Sequence, residues 1–342
     1  MRIRIHCPVS LEPARGNTVT ARRWLRMFQD EGHETFLTTP RIAAGEERGG
    51  KGETEDPEAG PPAEVLVALH ARRSHGVLRA FAEAHPEASR IVVLTGTDLY
   101  GDLPDDPEAL DSLDLADRLV VLHDEARRDL PEAFRGKCRT ILQSVAIPKS
   151  LEPAGPEAFE LDGDRPGLLA LVASHLREIK DPLLPARALA RLPGELPIAL
   201  RLCGELLEPR LEIPVRRAEA ADPRFRWLGP KDRRKILGMT AAADLLILPS
   251  RMEGGANVLG EACRLGRPVL ATRIPGSLGL LSGDHPGLFP AGDAEALAGL
   301  LARCLEDPPF LRELERRSLA LAPRFDPKRE RAAWTSLLAE LR

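Results

Sequence analysis

Along most of this chain, short unbroken runs of apolar residues alternate with segments whose apolar residues recur at helical spacing. That rhythm restricts the fold more than any other feature. The first half carries "RIRIHCP" (2–8), "EVLVALH" (64–70), "RIVVLTG" (90–96) and "RLVVLH" (118–123). Between them, Val19, Trp24, Leu25 and Phe28 mark a helix over 17–31, and further helices are expected near 74–84, around 107–115 and from Asp124. The second half repeats the pattern with "LLALVAS" (168–174), "IALRLCG" (198–204), "FRWLG" (225–229) and "LLILPS" (245–250). Strands that are apolar throughout, rather than at every second residue, suit a parallel sheet covered by helices on both faces. The expected class is α/β, with two Rossmann-like, doubly wound parallel-sheet domains facing a cleft.

Two stretches break the rhythm. Residues 41–62 are rich in charge, Gly and Pro and read as a mobile surface loop. Residues 148–167 read as a softer connection, which divides the chain into a domain over 1–150, a linker over 151–166 and a domain over 167–323. A C-terminal helix over 324–342, opened by an Asp-Pro pair, is expected to pack back on the first domain. A length of 342 residues suits two such domains.

Charge and cysteine usage exclude several function classes. The 48 basic and 52 acidic residues are scattered, with a formal net charge of -4, so no basic face suggests nucleic acid. No apolar run approaches the roughly 18 residues of a membrane span, and the opening "MRIRIHCPV" lacks a signal-peptide core. A soluble, cytoplasmic protein without a membrane partner is expected. The five cysteines (Cys7, Cys138, Cys203, Cys263, Cys304) are widely spaced and read as reduced packing residues, and no His or Asp cluster has metal-ligand spacing. Of the 48 basic residues only seven are Lys, which draws notice to each Lys that occurs.

The chemistry is concentrated in "LPSRMEGGANVLGEACRLGRPVLAT" (248–272). In open α/β sheets, ligands sit beyond the carboxyl ends of the strands, where loops lead into helix N-termini. Gly254 and Gly255 permit close backbone approach, and Asn257 is a suitable N-cap for a helix through Val258, Leu259 and Cys263. Amides and dipole at such a terminus favour an anion such as a diphosphate. Glu253 on the loop and Glu261 one turn into the helix would then grip hydroxyls on either side, one on a ribose and one on a hexose. Alone, either glutamate reads equally as a solvated surface residue.

"EGGANVLGEA" followed by "GRPVLAT" resembles the E-x7-E donor signature of retaining glycosyltransferases with the GT-B fold, the glycosyltransferase 4 type. The resemblance is strongest over 168–305. It implies donor binding by Glu253, Gly254, Gly255, Ala256, Asn257, Val258 and Glu261, and a diphosphate clamp made of a Gly-Arg and a later Lys. In "ASHLREIKDP", Lys180 fits the Lys, whereas Ser174 and His175 stand in place of the Gly-Arg, with Arg177 or His175 left to compensate. Glu253, Lys180 and His123 are the candidate catalytic residues. The acceptor side is expected in the first domain, at Gly16, Asn17, Thr18 and Arg22 in "PARGNTVTARRW", Arg72 and Arg73 in "HARRSH", and Thr97 and Asp98 in "LTGTDLYGD".

Together, "GNTVTARRW", "LTGTDLYGDL" and "SRMEGGANVLGEA" look like the selenosugar synthases of selenoneine biosynthesis, a branch of this superfamily. That resemblance implies transfer of a hexose from UDP-N-acetylglucosamine or UDP-glucose to selenophosphate, giving a 1-seleno-sugar, UDP and phosphate. UDP-sugar is then a co-substrate; no cofactor or metal is called for, and "TDLYGD" is not a metal-binding D-x-D. The alternatives are a glycosyltransferase acting on a hydroxyl, a nucleotide-sugar epimerase and a non-catalytic nucleotide-sugar sensor. The hexose, the anomeric outcome and the oligomeric state stay open.

Overall fold

The computed structural model describes residues 1–9, 16–40, 53–54, 62–103, 105–161 and 167–341. The loop expected over 41–62 lies outside the described residues, apart from Glu53–Thr54 and Pro62. The chain divides into two compact units, Met1–Gln143 with Glu330–Arg342, and Ser144–Arg329.

In the first unit the strands are β1 (Arg2–His6), β2 (Glu34–Thr38), β3 (Glu53–Thr54), β4 (Val65–Leu69), β5 (Ser89–Leu94), β6 (Arg118–Val121) and β7 (Cys138–Thr140). They form one parallel sheet in the order β3-β2-β1-β4-β5-β6-β7. One face packs Ile3, Ile5, Val67 and Val93 against Trp24 and Phe28 of helix Gly16–Asp30 and Trp334 of helix Pro327–Ala339. The other packs Leu66, Ala68, Val92 and Val121 against Leu78, Phe81 and Leu113. Both faces are covered, which is why β4 is apolar at every position.

In the second unit the strands are β8 (Leu168–Ala173), β9 (Ile198–Cys203), β10 (Phe225–Trp227), β11 (Leu245–Leu248), β12 (Val269–Thr272) and β13 (Leu288–Phe289). The order is β10-β9-β8-β11-β12-β13, again parallel throughout. Each unit thus reverses its strand order once, beside β1 in the first and beside β8 in the second. At such a point neighbouring strands send their loops to opposite sides, which opens a crevice at their carboxyl ends.

Several local expectations change. The helix expected from Asp124 is only Ala126–Asp129, cut short before Pro131, and between β8 and β9 the chain forms the short helix Leu184–Leu189. Helix Arg233–Ala242 begins after Asp232, whose side chain accepts from the Lys235 amide at 2.9 Å. Of the stretch expected as a soft linker, the described residues 151–161 are tied to the second unit. Ala154 N donates to Gly238 O at 2.9 Å, Phe159 is buried, and the buried Arg201 donates through Nε to Phe159 O at 2.6 Å. Pro and Gly there shape a packed segment.

Candidate functional site

The second unit's reversal point gathers the conspicuous residues of the donor motif. On leaving β8, the chain passes so close to the end of β9 that a Cβ on Gly204 would stand 2.0 Å from Ser174 O. Leu176 pairs with Leu206 in an isolated parallel bridge, and a 3-10 turn, Glu178–Lys180, follows. Asp181 then adopts a left-handed backbone, φ 43°, one of the few non-glycine types that tolerates it. Its buried carboxylate accepts from Arg187 Nη2 and Arg251 Nη2, each at 2.8 Å, and Arg251 N donates to Ile179 O at 2.8 Å. These contacts tie the loop after β8 to the loop after β11.

Across that tie, Lys180 Nζ lies 2.6 Å from Glu253 Oε1. Ser250, fully buried, donates to the same oxygen at 2.7 Å, and Thr272 Oγ1 donates to Ser250 O. Gly276, in the first turn of helix Pro275–Leu281, supports Glu253 from behind, for a Cβ there would stand 2.2 Å from Glu253 O. Ser250, Thr272 and Gly276 were not singled out from sequence. The available signal was the glycine of "IPGS", which sits in a helix against its propensity.

The helix after the motif runs Asn257–Arg264. Asn257 is its first residue, not its cap. Ala256, at φ −68° and ψ 102°, makes the turn into the helix and has no side-chain acceptor to offer. Gly254 and Ala256 are buried, while Gly255, Asn257 and Val258 are half-buried. Glu261 is only 5% exposed, and Arg233 Nη2 lies 3.2 Å from its Oε1. Gly260 allows this helix to lie against Phe325 and Val145, which a Cβ would meet at 2.9 and 3.1 Å.

His175 stands where the resemblance calls for Arg, and its Nδ1 accepts from Glu205 N at 3.2 Å. In the neutral ring this leaves the proton on Nε2, so the side chain can act as a donor. Arg177 is turned toward Glu208 at 3.9 Å. Glu208 is held below the usual carboxylate range by the Glu178 amide first and by Arg210 and Arg177 after it. The compensating role expected of Arg177 is therefore not what the structure displays. Lys180 is the cation of this segment that meets Glu253.

In the first unit, Gly16 opens the helix in an exposed position, Asn17 is half-buried and Thr18 fully buried. Arg22, half-buried, draws the Cys7 thiol down, but burial dominates and pushes that thiol up to about 11. At the end of β4, His70 has a left-handed backbone, φ 73°, and its Nε2 lies 3.0 Å from Thr97 Oγ1. Burial lowers its pKa below the ordinary value and keeps it neutral.

Two expected roles in this unit are corrected. Asp98 is fully buried, and its carboxylate accepts from Ala71 N at 2.9 Å, Thr95 N at 2.8 Å and Gly96 N at 2.9 Å. It clamps the loops after β4 and β5 together and offers nothing to an acceptor. His123 is likewise buried, with Nδ1 accepting from Ala126 N at 3.2 Å and Nε2 2.9 Å from Tyr100 Oη, so it is not poised as a base. Arg72 faces Asp102 at 3.1 Å and Asp106 at 3.9 Å, which offsets its charge, whereas the exposed Arg73 uses its backbone amide on His70 Nδ1 at 3.4 Å. Among the described residues, no cluster of three His, Cys, Asp or Glu could hold a metal, and no helix is long and apolar enough to cross a membrane.

Comparison with known proteins bears on the cluster around Lys180 and Glu253. Residues 168–307 match the family of glycosyl transferases group 1. The matched group 1 segment contains Lys180, Ser250, Glu253, Glu261 and Gly276. A D-inositol 3-phosphate glycosyltransferase of Corynebacterium urealyticum is 33% identical over 142 residues, 39% of this chain and 33% of that protein. Another, from Catenulispora acidiphila, is 28% identical over 226 residues, 58% of this chain and 53% of that protein. The chain thus spans a third to about half the length of these curated relatives. Among solved structures, Anabaena HepE in complex with UDP and glucose is 15% identical, with a TM-score of 0.76 over 99% of this chain and 100% of that one. Sucrose-phosphate synthase of Thermosynechococcus elongatus is 17% identical, with a TM-score of 0.77 over 99% and 98%. These likenesses identify the fold as GT-B.

Proposed function

We propose that the chain transfers a hexose from a UDP-sugar, with the donor held at the reversal point of the second unit. The observation that carries this reading is the meeting of Lys180 with Glu253 at 2.6 Å, beside a helix start without a capping side chain, within the group 1 segment. The cation and the amides after Gly255 suit a diphosphate, and a carboxylate next to them suits hydroxyls. Structures of HepE with UDP and glucose, and with UDP-glucose, support the choice of nucleotide.

In this scheme, charge builds on the leaving diphosphate, and Lys180 with the amides of the helix start stabilises it. His175 donates through Nε2 where the resemblance calls for Arg. Glu253 receives a hexose hydroxyl, and Glu261, oriented by Arg233, receives the ribose. The scheme requires no metal. For the acceptor we propose selenophosphate, on the resemblance of "GNTVTARRW", "LTGTDLYGDL" and "SRMEGGANVLGEA" to selenosugar synthases. Such an acceptor is nucleophilic without deprotonation, which agrees with the burial of His123. A hydroxyl acceptor is the second reading, favoured by the D-inositol 3-phosphate glycosyltransferases among the relatives.

The test is UDP release from UDP-glucose and UDP-N-acetylglucosamine under anaerobic conditions, with selenophosphate or inositol phosphate added, and mass spectrometry of the product. UDP formed only with selenophosphate, together with a selenium isotope pattern on a hexose, is expected. Turnover with inositol phosphate alone would transfer the assignment to the second reading. Replacing Gly276 by Ala pushes a methyl into the Glu253 carbonyl, so turnover should fall at least about tenfold, equivalent to about 1.4 kcal/mol. UDP affinity should change much less, because UDP lacks the hexose. Steady-state kinetics and calorimetry on the variant decide the point; unchanged turnover would show that Glu253 is not held by this contact.

A further inference from the structure

The glutamate that meets Lys180 is held in an uneven way. Lys180 Nζ and Ser250 Oγ both donate to Oε1, at 2.6 and 2.7 Å. Both hydrogen bonds end on Oε1, and the Glu253 side chain keeps 10% of its exposure. Ser250 is itself completely buried, so its hydroxyl is committed to this contact and not to solvent. Its backbone is pinned in turn, since Thr272, also completely buried, donates to Ser250 O from the end of β12. Gly276 closes off the other side of the Glu253 backbone. The carboxylate is thus held through Oε1 by groups from the loops after β8 and β11, backed by the end of β12.

We infer that Ser250 is a positioning residue for sugar recognition: by holding Oε1 beside Lys180 it presents Oε2 of Glu253 to one hexose hydroxyl of the bound donor. The inference rests on the nucleotide-sugar reading above and adds to it a residue that touches neither nucleotide nor sugar. The Lys180 end of the pair has a second task, the diphosphate, and a lysine ammonium drawn toward phosphate loosens its hold on Oε1. Ser250 then keeps the carboxylate oriented while the cation is shared. Without the serine hydroxyl, Glu253 would rotate about its side-chain torsions, and the gain from the hexose would be lost even though the nucleotide still binds.

Calorimetry with UDP and with UDP-glucose separates the two contributions, because only the second ligand carries the sugar. Wild type is expected to bind UDP-glucose more tightly than UDP. Ser250→Ala should keep UDP affinity within about threefold, equivalent to about 0.7 kcal/mol, and lose at least fivefold of the preference for UDP-glucose. Because Ser250 acts through Glu253, the double variant Ser250→Ala, Glu253→Ala should lose no more of that preference than Glu253→Ala alone. A merely structural serine would instead lower the affinity for both ligands together. Should the alanine variant not fold, Ser250→Cys, close in size and a weak donor, gives the same comparison. An undiminished preference in Ser250→Ala, or additive losses in the double variant, would overturn the inference while leaving the donor site standing. A wild type that binds neither UDP nor UDP-glucose would sink the nucleotide-sugar reading and this one with it.

Discussion

Replacing Trp334 by Ala should lower the stability of the Met1–Gln143 unit by about 3–5 kcal/mol, the range for emptying a buried aromatic site. Trp334 is 1% exposed, and its ring meets Trp24 edge-on at 4.8 Å and Phe28 at 5.2 Å. One turn before it, the buried Glu330 accepts from Arg23 Nε and Nη2, each at 3.0 Å, and from Trp24 Nε1 at 2.7 Å. Further along, Glu340 is gripped by Arg139 Nη2 at 2.8 Å and Arg118 Nε at 3.1 Å. The last turns of the chain therefore complete a core whose other members lie some two to three hundred residues earlier. Denaturant unfolding followed by tryptophan fluorescence can read this, for Trp24 reports on the first unit and Trp227 on the second. A change under about 1 kcal/mol would mean that Trp334 does not fill this core in solution. As a control, Leu319→Ala at a 54% exposed position should be close to neutral, within about 0.5 kcal/mol.

Stability should also fall steeply on mild acidification, well above the range in which most carboxylates titrate. His6 in the first unit and His285 in the second are each pushed down from 6.5 to about 4, chiefly by burial, with Arg4 and Arg317 respectively adding to it. In the unfolded chain both take up a proton near 6.5, whereas in the folded protein they stay neutral down to about 4. The stabilisation is thus complete above pH 6.5 and is lost progressively as the pH falls through the interval to about 4. Two and a half pH units correspond to about 3 kcal/mol for each histidine, and about 2 kcal/mol of that is gone by pH 5. Asp284 and Glu313, pulled down to about 2 by hydrogen bonds within the Ser282 and Arg317 group and the Arg316 and Arg317 pair, lose their contributions below pH 4.5. Urea midpoints at pH 7.5 and 5 test the claim. His285→Leu should flatten the pH response of the second unit only; equal unfolding free energies at the two pH values would show that neither histidine is buried in neutral form.

Much of the architecture is legible in the sequence, for a physical reason. A strand covered on both faces must be apolar at every position, so "EVLVALH" and "LLALVAS" announce parallel strands without any knowledge of their neighbours. The short β2 and β7 are harder to read, because three to five residues with polar members carry little periodicity. The segment around Phe159 reads from sequence as a soft connection, because Pro and Gly mark a turn equally well whether it faces solvent or, as here, is held by a buried arginine from β9.

The same division runs through the site. The spacing of Glu253 and Glu261 about two glycines is a local property, and so the sequence alone marks out a glycine-rich strand-to-helix junction carrying two carboxylates. What it does not contain is which groups that junction meets. Lys180 lies 73 residues from Glu253, and it is the strand order, with β8 beside β11, that brings them together. Thr272 and Gly276 act on Ser250 and Glu253 from the next strand and helix, and the glycine of "IPGS" is the one local mark of it. In the first unit the tertiary structure withdrew two candidates that the sequence offered, since Asp98 and His123 spend their polar atoms on backbone amides and on Tyr100. Local pattern determined where chemistry could occur. Burial and long-range pairing, which depend on how strands are ordered in space, decided which side chains remain available to perform it.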